Sequence, residues 1–373
     1  MKRINVIIKV TDGCNLRCKY CYNSESCYTS EILPLERFEK LLTLLSDSFD
    51  SIALVWHGGE PMTCGLEYFK KVVEIEDRIY AQTSVPIQNT IQTNGTLIDK
   101  KWCAFFKKYR FNVGVSFDGI NNDRYRQRSE DTLKAMELMQ KEKVPFGCLT
   151  VVGDNDYDMF ANYRYFAEKG IHVAFTPLFA EGGGVDLEPL SAEVFIKKSN
   201  ELFDYWLYDK NGVNVRTFSG YISMLLGSHS KLCTNGSCLG KWLGIEANGN
   251  LYNCGRDSMK EFCFGNIDAM DDISEAFTSD GFRELLIGSI ERRKKCKASC
   301  EFFDFCEGGC TDCAILENGI DAISGFSCIC FREIFRHIRE AVQVLIENKV
   351  PLSELNPVIN AIAVKCLSEK DDE

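Results

Sequence analysis

INVIIKVTDGCNLRCKYC, residues 4–21, couples a short strand-like run to three closely spaced cysteines. The apolar residues of its first half are mostly β-branched, as in a strand, and the TDG that follows is a turn signal. Cys14, Cys18 and Cys21 therefore fall in the loop that leaves the first strand. A structural zinc site takes four ligands and a disulfide takes two. Three thiols fit a metal centre with one open position.

The pattern repeats along the next 190 or so residues. Strand-like runs at 4–10, 51–56, 87–93, 111–117, 146–152 and 172–179 alternate with helix-period stretches such as LERFEKLLTLLSD, LEYFKKVVEIEDRIY, KKWCAFFKKY, DTLKAMELMQKEK and MFANYRYFAEKG. Six β–α units in succession predict an α/β fold, a parallel sheet covered by helices. This periodicity fits an open doubly wound sheet or a partial barrel, and both gather ligands at the C-terminal ends of their strands. After SAEVFIKKSNELFDYWLYDKNG (191–212) the character changes. From about 225 to 330 the periodicity fades while cysteine and glycine become dense, as in a segment held together by metal. FREIFRHIREAVQVLIEN (331–348) is an amphipathic helix, and SEKDDE (368–373) reads as a frayed acidic tail. The expected units are residues 1–225, 226–332, and a helix with its tail at 333–373.

Composition narrows the function. The chain has 373 residues, 45% hydrophobic and 26% charged, and a formal charge of −11. That acidity argues against nucleic acid, whose phosphates are bound by clustered Lys and Arg. RRKKCK (292–297) is short and reads as a solvated turn. No apolar run approaches the roughly 18 residues that span a bilayer, and the apolar part of MKRINVIIKV is too short for a signal peptide. The expectation is a cytoplasmic protein without membrane contact. In a reducing compartment, 19 cysteines point to metal binding rather than disulfides.

Cys-x3-Cys-x-aromatic-Cys after the first strand, with Tyr20 as the aromatic, resembles the signature of the radical S-adenosylmethionine (SAM) enzymes. HGGEP (57–61), QTNGT (92–96) and SFDG (116–119) end the next three strands in the order that family uses. Each alone is an ordinary turn; their sequence of placement carries the likeness. The resemblance implies a partial (β/α)6 TIM-type barrel in which Cys14, Cys18 and Cys21 hold a 4Fe–4S cluster whose open iron takes SAM. It also implies that Gly58, Gly59 and Glu60 receive the SAM amino group, and that Asn94 and Ser116 lie near the ribose or the open iron. Tyr20 would lie beside the adenine, and Arg126 or Arg128 would meet the carboxylate. The stretch NDRYR (122–126) lacks the His that relatives carry at its start.

Cys233-x4-Cys238-x15-Cys254 and Cys296-x3-Cys300-x5-Cys306-x3-Cys310, followed by Cys328, resemble the SPASM extension of radical SAM enzymes that modify peptides and proteins. The commoner spacing opens the second group with Cys-x2-Cys. The resemblance implies two auxiliary 4Fe–4S clusters, one on Cys233, Cys238, Cys254 and Cys310, the other on Cys296, Cys300, Cys306 and Cys328. Cys313 and Cys330 are near enough in sequence to substitute. Taken without the resemblance, the same spacings also suit zinc. Cys27, Cys64, Cys103, Cys148, Cys263 and Cys366 read as ordinary thiols.

The implied chemistry is hydrogen-atom removal from a substrate residue by the 5′-deoxyadenosyl radical, with the auxiliary clusters taking the remaining electron. A reductant such as flavodoxin or ferredoxin would supply the first cluster. Two substrate classes follow: a ribosomally made peptide that acquires a thioether or carbon–carbon crosslink, and a sulfatase whose Cys or Ser becomes formylglycine. Sulfatase-maturating enzymes typically carry an Asp directly after the cysteine matching Cys254. Here NCGRDSM has Gly255 there and Asp257 two residues on, so the reading leans to crosslinking, with Asp257 as the candidate base. A non-catalytic iron–sulfur or zinc protein is the remote alternative, and an open three-cysteine site argues against it.

Overall fold

In β1 (Arg3–Thr11), Ile4, Val6, Ile8 and Val10 are fully buried and alternate with Asn5, Ile7 and Lys9, which point to the opposite face. The same rule shapes β2 (Ser51–Gly58), β3 (Ile87–Thr93), β4 (Asn112–Ser116), β5 (Phe146–Val152) and β6 (His172–Pro177). The computed structural model describes residues 2–23, 31–228, 232–236 and 238–371. The six strands are parallel neighbours in the order β6-β5-β4-β3-β2-β1, as expected for a partial (β/α)6 barrel. β7 (Trp242–Glu246) pairs in parallel with β1, and β8 (Leu251–Tyr252) pairs antiparallel with β7. The sheet thus recruits two strands from beyond residue 225.

Crossover helices cover the outer face: α1 (Leu35–Ser48), α2 (Leu66–Thr83), α3 (Lys100–Lys108), α5 (Ser129–Lys141) and α6 (Met159–Glu168), while the one-turn α4 (Asn122–Tyr125) lies at the cysteine loop, where Tyr125 O accepts Lys19 N–H. Their apolar stripes meet the buried strand residues. Trp56 of β2 lies against Phe38 of α1 at 5.2 Å and Phe69 of α2 at 5.1 Å between ring centroids. Burying a large side chain of this kind contributes about 1.5–3 kcal/mol. Then follow α7 (Ala192–Tyr208) and α8 (Arg216–Leu225), which pack against the helices at the end of the chain.

The stretch expected to lose its periodicity contains a 20-residue helix, α9 (Asp280–Ser299), besides α10 (Phe303–Cys306) and α11 (Thr311–Glu317). The buried stripe of α9 is Leu285, Gly288, Ser289, Arg292 and Cys296. Small and polar residues on the inner face leave no apolar period to read, whereas the Ser279 cap, whose Oγ receives the Phe282 N–H, does mark the start. α12 (Phe326–Glu347) begins five residues before the expected 331 and carries Cys328 in its first turn. The expected frayed tail is also corrected, because α13 (Pro357–Asp371) runs into it. Asn356 caps that helix through Val358 N–H, Pro357 opens it, and Ile359, Ile362 and Cys366 are buried at helical spacing. No described helix is long and apolar enough to cross a membrane.

Candidate active site and cysteine centres

The loop after β1 is shaped by the HGGEP turn lying on it. Gly59 N–H donates to Thr11 O at 2.8 Å, and Glu60 N–H to Gly13 O at 2.9 Å. A Cβ on Gly59 would stand 2.2 Å from Gly13 O, and one on Gly58 (φ +117) 2.3 Å from Thr11 O. Both positions therefore require glycine. Cys14 Sγ accepts Leu16 N–H, and Cys21 N–H closes a turn on Cys18 O. Burial pushes the Cys14 thiol up to about 11 and raises Cys18, against the pull of Arg126. Half-buried thiols gathered in one loop are suited to a metal that takes them as thiolates.

Glu60 is buried beside this loop. Its Oε1 accepts Met62 N–H at 3.0 Å and the Thr93 hydroxyl at 2.7 Å, and its Oε2 accepts Asn94 N–H at 2.7 Å. Burial still outweighs these bonds and moves its carboxyl from 4.5 to about 7. A fixed, desolvated carboxylate of this kind is completed by a cation. The Asn94 side chain bonds Asn15 Oδ1 at 2.8 Å, tying the end of β3 to the cysteine loop. Ser116 receives a bond from Gln92 Nε2 at 2.8 Å on the sheet's concave face.

Arg126 is drawn into the site and Arg128 is not. Arg126 Nε lies 3.2 Å from Asp118 Oδ2, its Nη1 is 4.0 Å from Cys18 Sγ, and its guanidinium sits over the Tyr20 ring at 5.2 Å. Burial opposes the Arg126 charge, but Tyr20 and Asp118 raise its pKa. The Tyr20 hydroxyl bonds Asp118, so its ring is held beside the cysteine loop. Arg128 adopts φ 57 at the start of α5 and pairs with Asp131 on the surface. Of the two arginines expected at the SAM carboxylate, only Arg126 faces the cysteine loop.

A second polar group lies on the concave face and was not anticipated from the sequence. Lys9 of β1 is in register with His57 of β2 and Glu246 of β7. Its Nζ is buried, 3.4 Å from Glu246 and 3.8 Å from Asp12. His57 Nδ1 accepts Gly58 N–H at 2.9 Å and lies 3.1 Å from the Tyr22 hydroxyl. A backbone N–H can only donate, so the neutral ring carries its proton on Nε2. Burial, with Lys9 and Arg256 nearby, lowers the imidazole pKa to about 4. Arg256 bridges Glu181 at 3.0 Å and Asp312 at 2.9 Å and lies over the Phe179 ring at 4.3 Å. Arg256 and Asp312 stand beside cysteines, in NCGRD and CTDC, and that adjacency was the signal available. The loop after β6 closes on the same place, where Gly183 N–H donates to Cys21 O at 3.0 Å.

The later cysteines fall into two electrostatic sets. Cys238 is within reach of Cys310 and Cys233, and Cys254 of Cys233 and Cys310. Cys306 is within reach of Cys328, Cys296 and Cys300, and Cys328 of Cys296 and Cys300. Burial pushes Cys238 and Cys306 up to about 12. Six of the eight, together with Cys313 and Cys330, line one cavity of about 410 Å³ between the barrel and the C-terminal helices. Cys313 hydrogen-bonds Cys310 and lowers its pKa, while its own is raised. Cys27 lies outside the described residues.

Gly255, directly after Cys254, is closely packed. A Cβ there would stand 2.7 Å from Ile7 Cγ2 on β1. Asp257 opens a 3-10 turn at Asp257–Glu261, but its side chain lies outside what the structure describes.

Residues 8–165 match the sequence model of the radical SAM superfamily. The chain is 31% identical over 364 residues to the cysteine-type anaerobic sulfatase-maturating enzyme of Clostridium perfringens, covering 90% of this chain and 96% of that one. It is 26% identical to the serine-type enzyme of Bacteroides thetaiotaomicron, covering 90% of both. Native anSMEcpe with bound AdoMet and Cp18Cys peptide superposes with a TM-score of 0.80 at 28% identity, over 93% of this chain and 99% of that one. Streptococcus suis SuiB bound to its precursor peptide SuiA shares the fold, with a TM-score of 0.62 at 18% identity over 88% and 76%. The chain belongs to the radical SAM superfamily and, within it, to the family that includes the anaerobic sulfatase-maturating enzymes.

Proposed function

We propose that the protein is an oxidative radical SAM maturase of a peptide or protein substrate. One contrast within the chain carries the reading: three cysteines beside a buried carboxylate at one site, and two sets of four elsewhere. Cys14, Cys18 and Cys21 would hold the cluster that binds SAM; Cys233, Cys238, Cys254 and Cys310, and Cys296, Cys300, Cys306 and Cys328, would hold the auxiliary pair. When bound, SAM and the three clusters supply hydrogen-atom abstraction and an acceptor for the electron left on the substrate. We assign residues 1–225 to the barrel, 226–332 to the auxiliary unit and 333–373 to the closing helices. The first reductant would be a flavodoxin or ferredoxin.

The protein's own groups do the positioning. Glu60 accepts the SAM ammonium, while Gly58 and Gly59 let the backbone approach closely. Arg126 meets the SAM carboxylate, with Asp118 holding it in place. Tyr20 flanks the adenine, and Asn94 and Ser116 lie toward the ribose. Lys9, His57 and Glu246 line the face on which the peptide rests, with His57 Nε2–H as a donor to a peptide carbonyl.

The finer reading is an oxidative crosslink, supported by Gly255 packed against Ile7 in the position where sulfatase-maturating enzymes carry their base. The second reading, formylglycine formation, is favoured by the 31% identity over nearly the whole length of a cysteine-type relative. Anaerobic turnover of candidate peptides with SAM and reductant separates them. A crosslink removes two hydrogens and leaves no carbonyl that hydrazide reagents capture; formylglycine is captured. The absence of both products, with no 5′-deoxyadenosine released, would overturn the maturase reading itself.

A further inference from the structure

Arg292 lies on the inner face of α9 and is 1% exposed. Its Nε donates to Gly308 O at 3.0 Å and its Nη2 to Thr311 Oγ1 at 3.0 Å, and its Nη1 donates to Ile320 O. All three acceptors are neutral. Among the described residues no carboxylate forms an ion pair with it. The partly buried arginines of the site differ: Arg126 has Asp118, and Arg256 has Glu181 and Asp312. A buried cation without a counter-charge is strongly destabilising, so the fold must supply a negative partner.

Asp321 feels the Arg292 charge but is exposed and paired with Lys295, so the buried candidates are thiols. Cys310, Cys296, Cys238 and Cys306 are the groups whose negative charge supports the Arg292 cation, and they divide evenly between the two four-cysteine sets. The geometry explains the sharing. Cys296 lies one turn along α9, while Gly308 and Thr311 belong to the segment that joins Cys306 of one set to Cys310 of the other.

We propose that Arg292 is the shared counter-cation of both auxiliary centres and raises the reduction potential of each. The inference rests on the proposed auxiliary 4Fe–4S clusters. A cluster held by four thiolates is anionic and gains one further negative charge on accepting an electron. A fixed cation in a low-dielectric site favours the more negative state. One guanidinium placed between both sets makes both clusters easier to reduce, which suits an electron path leaving the substrate.

The test is a potentiometric titration followed by electron paramagnetic resonance, in a C14A/C18A/C21A background that leaves only the auxiliary centres. Arg292→Gln is expected to shift both midpoints to more negative values. The expected change is about tenfold in each reduction equilibrium, or about 59 mV for one electron. Arg292→Lys, which keeps the charge, is expected to stay near the parent. If Arg292→Gln does not load iron, loading of Arg292→Lys with parental midpoints still supports the charge role. Full loading of Arg292→Gln with unchanged midpoints overturns the proposal, as does failure of Arg292→Lys to load. A parent protein with no iron would instead remove the cluster reading on which the proposal rests.

Discussion

Glu60 Oε2 accepts the backbone N–H of Asn94 at 2.7 Å, so one buried carboxylate ties the turn after β2 to the end of β3. With Thr93 and Met62 bonding its other oxygen, the group is fixed before any ligand arrives. That preorganisation is what a site for a cation requires. Glu60→Gln keeps the shape and removes the charge. We expect SAM to bind roughly ten- to a hundredfold more weakly, or about 1.5–3 kcal/mol, the worth of a charged hydrogen bond. Anaerobic calorimetry reads this directly, and unchanged affinity would remove Glu60 from the SAM site.

Gly59 predicts a selective loss. A side chain there collides with the carbonyls of Asp12 and Gly13 and displaces the cysteine loop. Gly59→Ala should lose about four irons, those of the N-terminal cluster, and keep the remainder. Iron analysis beside the parent protein checks it; full retention would show that the loop tolerates the shift.

Glu76 predicts a pH dependence of stability away from the cysteine sites. It is buried on α2, where Asn89 Nδ2 donates to its Oε2 at 2.8 Å, and burial moves its pKa from 4.5 to about 8. The folded state thus favours the protonated form. The stability this group contributes is complete below about pH 4.5 and is lost as pH rises through about 8, by up to several kcal/mol. Glu76→Gln should melt higher than the parent at pH 9, with the difference vanishing at pH 5. An equal difference at both pH values would contradict the assignment.

Gly255 predicts that aspartate cannot simply be restored. Gly255→Asp places its Cβ against Ile7 and should cost about 1–3 kcal/mol, read as a lower melting temperature. It should not produce hydrazide-reactive product from a sulfatase peptide. Formylglycine formation at parental stability would favour the sulfatase reading.

Much of this was legible in local sequence. The parallel strands follow β-branched runs bounded by turns, and the cysteine loop and HGGEP are contiguous motifs whose spacing carries their chemistry. What was not legible depends on register and on distant loops. Lys9, His57 and Glu246 meet only because β7 pairs beside β1. Glu181, Arg256 and Asp312 come from three separate segments. Arg126 and Arg128 are two residues apart, and the left-handed backbone at Arg128 sends that side chain to the surface. α9 escaped because its inner face carries Gly288, Ser289 and Arg292 instead of an apolar stripe.

The proposed function requires an open three-cysteine site and two closed four-cysteine sites. Anaerobic reconstitution of the full chain and of C14A/C18A/C21A, with iron counted and 5′-deoxyadenosine measured from SAM and dithionite, tests it most directly. About twelve irons and SAM cleavage are expected for the parent, and about eight irons with no cleavage for the variant. Iron near zero with zinc in its place, or SAM cleavage that survives loss of the three cysteines, would contradict it.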